Sequence, residues 1–252
     1  MFTGHNIRLD DGTLTKPDTP LEMSAYGEFK AARRMLALAF PDGLQGKSIV
    51  DLGCLEGGHT TEFARLGMRA LGVEARKSNF ANCMTVKAAV DLPDLSFVHD
   101  TVWNAAKYGP FDAVWCCGLL YHLDRPREFI RMMSAVCRKI MILHTHFSMT
   151  QDKDTERWKL SAMTENEGLA GRWYHEHDGL PEHVDAAKWA AWENQRSFWP
   201  TRPCLLETLR ENGFDCVLEQ YDWLAPPMPS ITDFVSGAAY DRTVLIGMRT
   251  GI

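Results

Sequence analysis

The chain has 252 residues, 45% of them apolar, enough for one α/β domain of about 200 residues plus an addition. Lys and Arg total 27 against 33 Asp and Glu, a formal net charge of −6. That balance argues against a polyanionic partner, since affinity for nucleic acid rests largely on neutralising phosphates. No apolar run reaches the ~18 residues of a membrane span, and Met1–Asn6 does not read as a signal peptide. The seven cysteines lack paired metal-ligand spacing and read as free thiols of a reducing, cytoplasmic compartment.

Residues 1–44 read as an extended segment with a turn at Asp11-Gly12, then a helix near 22–40. This part is expected to form a flap or lid edge, with Lys30, Arg33 and Arg34 on a solvated helix face. Residues 45–252 form the main domain. Apolar periodicity predicts strands near 48–52, 70–74, 95–99, 111–117 and 139–145, with helices near 58–67, 77–88 and 126–137 between them. A helix near 203–212 and strands near 214–222 and 240–249 complete the pattern. Such alternation implies a mainly parallel sheet with right-handed crossovers. Ligands then bind beyond the carboxyl ends of the strands, so residues just after each strand matter most.

After the first strand the chain breaks into a glycine turn, Asp51-Leu-Gly53-Cys54-Leu55-Glu56-Gly57-Gly58, and enters a helix pattern. An acid, Glu74, follows about 20 residues on, at the end of the second strand. This is the logic of a nucleoside-binding unit: glycines let the backbone approach, and the acid accepts from ribose hydroxyls. Asp51 and Glu56 near the turn would repel a pyrophosphate and favour a cation. S-adenosylmethionine, with its sulfonium and ammonium, is such a ligand. The turn resembles motif I of class I S-adenosylmethionine-dependent methyltransferases, (D/E)xGxGxG, with Leu55 at the middle glycine.

The fourth strand continues as Phe111-Asp112-Ala-Val114-Trp-Cys-Cys117-Gly118-Leu-Leu120-Tyr121-His122, with Pro126 beyond. This resembles motif IV of a methyltransferase subset, and within it the wobble-uridine tRNA carboxymethyltransferases, as do Gln195–Thr201, Leu205-Leu206 and Asn212-Gly213-Phe214. The resemblance implies a Rossmann-like class I methyltransferase fold: a mainly parallel seven-stranded sheet with an antiparallel last strand and helices on both faces. It implies that Glu74, Ala75 and Arg76 hold the ribose and flank the adenine. Thr101, Val102 and Trp103 would line the adenine, and Cys117 and Tyr121 the methionine part. With Asp51, Gly53, Cys54, Glu56 and Gly57, these are the candidate cofactor contacts.

Residues 147–200 are a long insertion rich in aromatics and histidine, and a connection of that length is usually functional. It is expected to form a lid over an aromatic or apolar acceptor, with its tip at Gly171–Glu176 and a short helix over Asp185–Trp192 presenting Trp189 and Trp192 on one face. Trp173, Tyr174, Arg196 and Trp199 are the candidate substrate contacts. Methyl transfer to a hydroxyl needs a proton removed, and histidine suits that near neutral pH. The candidates are His122, His146 and His175. No metal is expected, because no carboxylate or cysteine sits at a convincing spacing beside the pairs His144/His146 and His175/His177. The predicted activity is methyl transfer to a small molecule through an oxygen or nitrogen nucleophile. The competing readings are a tRNA-modifying (carboxy)methyltransferase and a non-catalytic S-adenosylmethionine-binding protein.

Overall fold

The computed structural model describes residues 1–149, 158–224 and 241–251. Its seven-stranded sheet is built from β1 (Ser48–Leu52), β2 (Arg69–Glu74), β3 (Leu95–His99), β4 (Phe111–Cys117), β5 (Cys137–His146), β9 (Cys216–Gln220) and β10 (Arg242–Met248). The order is β3-β2-β1-β4-β5-β10-β9. Strands β1 to β5 pair in parallel, and β10 runs antiparallel to both β5 and β9. The order reverses between β1 and β4, so their carboxyl ends open a crevice at the switch point.

The strand sequences explain their place. All five residues of β1 are buried, as a strand covered on both faces requires. Alternate residues feed two cores. Ile49, Trp115 and Ile142 face Phe29 of α1 (Gly27–Ala39) and Phe63 of α2 (Gly58–Arg65). Val50, Val114 and Leu143 face Phe129 and Ile130 of α4 (Pro126–Val136), while α3 (Lys77–Ala88) adds Val86 to the first core. Among the described residues no helix is long and apolar enough to cross a membrane.

Two elements differ from the sequence reading. The helix expected over 22–40 is interrupted: Met23–Ala25 is a short 3-10 helix, Tyr26 is extended (ψ 140°), and α1 starts at Gly27. A Cβ on Gly27 would lie 2.1 Å from the Trp223 carbonyl oxygen, so α1 starts where its backbone packs against that of Trp223 and only glycine fits. The second difference is the insertion, which is mostly β. Strands β6 (Thr164–Asn166), β7 (Leu169–His175) and β8 (Arg196–Pro200) form an antiparallel sheet. The helix expected over 185–192 is instead α5 (Pro181–Ala186), which stops before both tryptophans.

The β6–β7 hairpin turns on Glu167 and Gly168, with φ of 52° and 74°. Both central residues are left-handed, as a two-residue hairpin with the right twist needs. Glu167 is no ordinary turn residue. Its carboxylate accepts from the backbone N–H groups of Arg127 (2.8 Å) and Glu128 (3.1 Å) in the first turn of α4. A negative cap on a helix start offsets a left-handed non-glycine residue, which costs roughly 1–2 kcal/mol. Helix α6 (Arg202–Glu211) then leads into β9.

Candidate functional site

A cavity of about 330 Å³ opens at the carboxyl ends of β1, β2 and β4. The turn after β1 forms its floor. Leu55, at the position of the middle motif glycine, takes φ 53°. It is held there from both sides: its N–H donates to Glu74 Oε2 (2.9 Å), and its carbonyl accepts from Cys83 Sγ (3.2 Å). The departure from the motif thus keeps the left-handed backbone and adds an apolar side chain to the cavity wall.

Asp51, Gly53, Cys54, Glu74, Ala75, Arg76, Thr101, Val102, Trp103, Cys117 and Tyr121 all line this cavity. Burial raises the Glu74 carboxyl above its ordinary range, against the pull of the Arg76 and Leu55 N–H bonds. Burial lifts Asp51 to about 7, although Thr60 Oγ1 donates to it at 2.7 Å. Trp103 also packs edge-on against Phe129 at 5.2 Å, and the Arg125 guanidinium lies 4.5 Å from its ring centre.

Glu56 and Gly57 lie outside the cavity. Glu56 is fully buried and turned toward the N-terminal segment, accepting from the backbone N–H of Thr3, Gly4 (2.9 Å) and His5 (2.9 Å) and from Asn82 Nδ2 (3.1 Å). It is a fastener for residues 3–5, and Gly4 and His5 line the cavity because of it. Gly57 is a packing glycine: at φ 80°, a Cβ would sit 2.6 Å from the Phe97 ring.

The histidines separate by their ring nitrogens. His122 lines the cavity, and its Nδ1 lies 3.0 Å from both oxygens of Glu176. His146 is buried away from the cavity, stacked on Trp199 (4.7 Å) with Trp158 at its edge. Its Nε2 accepts from Arg242 Nε at 2.6 Å, and its Nδ1 faces Asp241. Burial lowers its basicity despite Asp241. His175 ends β7 on the exposed face and does not reach the cavity. His5 and His59, which the sequence reading missed, and His144, which it weighed only beside His146 as a metal pair, do line it; burial takes the three to about 4, 3 and 3. Among the described residues the Nε2 atoms of His59 and His144 are buried without a hydrogen-bond partner. Among the described residues no group of three His, Cys, Asp or Glu could hold a metal ion.

Trp173, Tyr174, Arg196 and Trp199 do not line the cavity. They brace it from behind. Arg196 covers the Trp173 ring at 4.3 Å, and Tyr174 stacks on Trp199 at 5.5 Å. Trp199 Nε1 donates to the Tyr121 carbonyl at 2.8 Å, and the Phe198 N–H to that of Leu123 at 2.9 Å. The insertion reaches the cavity through residues 188–194 instead, with Trp189 and Trp192 as its aromatics. Arg76 fastens this stretch: its guanidinium donates to the carbonyls of Val184, Ala187 (3.2 Å) and Ala190 (3.4 Å) and lies 4.8 Å from the Trp192 ring centre. A lid sequence signal existed in Trp189 and Trp192, but the tip predicted at 171–176 is mostly β7, the central strand of the small sheet.

Residues 25–219 match the model of a methyltransferase-domain family, and the chain belongs to that family. Among curated proteins it is 28% identical over 141 residues to the ubiquinone biosynthesis O-methyltransferase of Proteus mirabilis, covering 52% of this chain and 56% of the relative. To the Cronobacter sakazakii protein of the same name it is 26% identical over 170 residues, 63% of this chain and 67% of the relative. The chain therefore spans between about half and two thirds of these relatives. Among solved structures, the N-terminal domain of EvdMO1 with bound S-adenosylhomocysteine aligns with a TM-score of 0.65 at 22% identity, over 89% of this chain and 82% of that one. The Burkholderia thailandensis 1,6-didemethyltoxoflavin N1-methyltransferase aligns with a TM-score of 0.55 at 17% identity, over 90% and 80%. The shared fold is the Rossmann-like methyltransferase sheet.

S-adenosylmethionine is the cofactor this family uses, and the residues present fit it. Glu74 is a buried carboxylate that accepts from the Leu55 and Arg76 N–H groups and from the Asn79 side chain and still retains acceptor capacity. Val102 supplies an apolar wall, Asp51 a second acid, and the unpartnered nitrogens of His59 and His144 await polar groups.

Proposed function

We propose that the protein transfers a methyl group from S-adenosylmethionine to a hydroxyl of a small aromatic or apolar molecule. The observation that carries this reading is one cavity. It joins the glycine turn and Glu74 at one end to Tyr121, His122 and the aromatic stretch 188–194 at the other. Glu74 would hold the ribose, Ala75, Thr101, Val102 and Trp103 would surround the adenine, and Asp51, Gly53, Cys54 and Cys117 would flank the methionine part. Trp189 and Trp192 are the apolar surfaces for the acceptor. When bound, the cofactor supplies a methyl group on a positively charged sulfur, activated for in-line displacement. The chain's part is to align the acceptor, exclude water and remove its proton. That two curated relatives are O-methyltransferases of ubiquinone biosynthesis supports an oxygen acceptor. A reducing, cytoplasmic setting belongs to the same reading and agrees with seven free cysteines.

Calorimetric titration with S-adenosylmethionine tests the cofactor half. Glu74→Ala deletes two charge-assisted bonds and is expected to weaken binding about 100-fold, roughly 3 kcal/mol. Wild-type protein that folds and does not bind would sink the reading and leave a scaffold role. Labelled-methyl transfer to a panel of phenols and catechols tests the acceptor half. Label entering bulk tRNA and none of the phenols would instead establish the tRNA-modifying reading that the Leu120-Tyr121-His122 segment resembles.

A further inference from the structure

His122 and His144 line the cavity beside Tyr121, and His146 lies behind them; only one of the three is set to accept a proton from an acceptor. His146 has its Nε2 occupied by the Arg242 guanidinium at 2.6 Å. His144 Nδ1 lies 3.3 Å from Cys117 Sγ. Burial pushes that thiol well up, so it stays protonated and donates. With the thiol donating to Nδ1, His144 carries its proton on Nε2, which among the described residues is buried without a partner. It is a hydrogen-bond donor, not a base. His122 is the reverse case. Its Nδ1 lies 3.0 Å from both Glu176 oxygens, and a carboxylate only accepts, so the ring proton sits on Nδ1. Among the described residues no hydrogen bond occupies its Nε2.

Glu176 is well placed to hold this arrangement. Its side chain is 1% exposed. Burial works to raise its carboxyl, yet its partners together keep it below the ordinary range, so it is ionised at neutral pH. Ser197 Oγ donates to Oε1 at 2.6 Å, and the Ala191 N–H donates to Oε2 at 3.1 Å. Ala191 belongs to the stretch that lines the cavity. One carboxylate thus joins the ring of His122 to the backbone of the lid.

We infer that Glu176 is the positioning residue that makes His122 the general base for a hydroxyl acceptor, and that it ties the lid stretch to that base. The inference rests on the proposed methyl transfer. In the step, the acceptor O–H proton passes to His122 Nε2, and the freed oxygen pair forms the new O–CH3 bond. The C–S bond breaks with its pair kept by sulfur. The positive charge of the sulfonium reappears on the imidazolium, against the Glu176 carboxylate. A hydroxyl of ordinary phenol acidity is the acceptor class such a base serves, because it is mostly protonated at neutral pH.

Long-range proton–nitrogen NMR of the histidine-labelled full chain reads the ring tautomers without cofactor or acceptor. His122→Gln assigns the signal. The neutral His122 ring is expected in at least about tenfold excess of the Nδ1–H form, and Glu176→Gln is expected to abolish that excess. His144 is expected in the opposite, Nε2–H form. A wild-type His122 in the Nε2–H form overturns the inference, and this needs no variant to fold. On the most reactive phenol of the labelled-methyl panel, Glu176→Gln should lower kcat about 10²-fold with KM and S-adenosylmethionine affinity nearly unchanged. An unchanged kcat also overturns the inference, whereas absence of any phenol methylation counts against the proposed function itself.

Discussion

One wall of the cavity is made of loops that leave the parallel strands at Asp51, Glu74, Thr101 and Cys117; the other is made of Gly4-His5 and residues 188–194. The first wall is continuous with strands buried on both faces, so its backbone has nowhere to move. The second is attached by side chains that reach across: Glu56 holds residues 3–5, and Arg76 and Glu176 hold 184–191. All three are buried charges; Glu56 and Arg76 hold mostly backbone groups, and Glu176 holds the Ala191 N–H beside the side chains of His122 and Ser197. A wall held this way is expected to be released by one substitution without unfolding the sheet, so under the proposed function acceptor binding should be separable from cofactor binding.

Removing the N-terminal fastener should have the largest effect. Glu56→Ala leaves three backbone N–H groups without their carboxylate acceptor and removes one of the two acceptors of Asn82. Protection of the Thr3, Gly4 and His5 amides in hydrogen exchange should fall about 100-fold, roughly 3 kcal/mol. Protection of the β1 and β4 amides should hold. If the β1 amides lose protection equally, the two walls open together and the contrast fails.

Arg76→Ala comes next. The acceptor KM should rise about tenfold, because residues 184–190 lose their clamp, while S-adenosylmethionine affinity changes less than about threefold. A larger loss of cofactor affinity would move Arg76 from the lid to the cofactor.

The smallest effect is on pH dependence. His5, His59 and His144 have basicities lowered from 6.5 to about 4, 3 and 3. Their burial as neutral rings stabilises the fold fully above about pH 6.5 and is lost as pH falls through those values. Asp51 has the opposite sign: raised from 3.8 to about 7, its contribution is whole below 3.8 and lost as pH rises through about 7. The thermal midpoint should therefore fall on both sides of a maximum. His144→Gln should flatten the acid limb and Asp51→Asn the neutral limb, each by a few degrees at about 2–4 °C per kcal/mol. Scanning calorimetry from pH 4 to 8 checks both limbs.

The sheet was legible because burial on two faces writes itself as apolar runs. Strand ends set by Leu52, Glu74, His99 and Cys117 then pointed to the residues after them. The lid was not legible for a reason of parity and partnership. In β7 neighbouring side chains face opposite ways, so Tyr174 packs on Trp199 while His175 is exposed. Glu176, the next residue, meets His122 only because β8 brings Ser197 and the loop carries Ala191 to the same carboxylate. Nothing local in His175-Glu176 distinguishes the two roles. Glu56 misled in the same way: an acid in the motif turn reads as a cation contact until Thr3, Gly4 and His5 fold back over it.

By itself the sequence determined the strand and helix succession, the glycine turn with its distant acid Glu74, and the aromatic wealth of residues 147–200, since each depends on period or local composition. The tertiary structure alone decided that the insertion is a β-sheet turning on Glu167, that residues 188–194 rather than 171–176 face the cavity, and that His122 keeps a ring nitrogen open to the cavity while both nitrogens of His146 are engaged. Those outcomes depend on which atoms meet across 50 or more residues, as His122 meets Glu176 and Glu56 meets Thr3. A buried charge or ring nitrogen takes its role from its partner, and partners are chosen only when the chain closes.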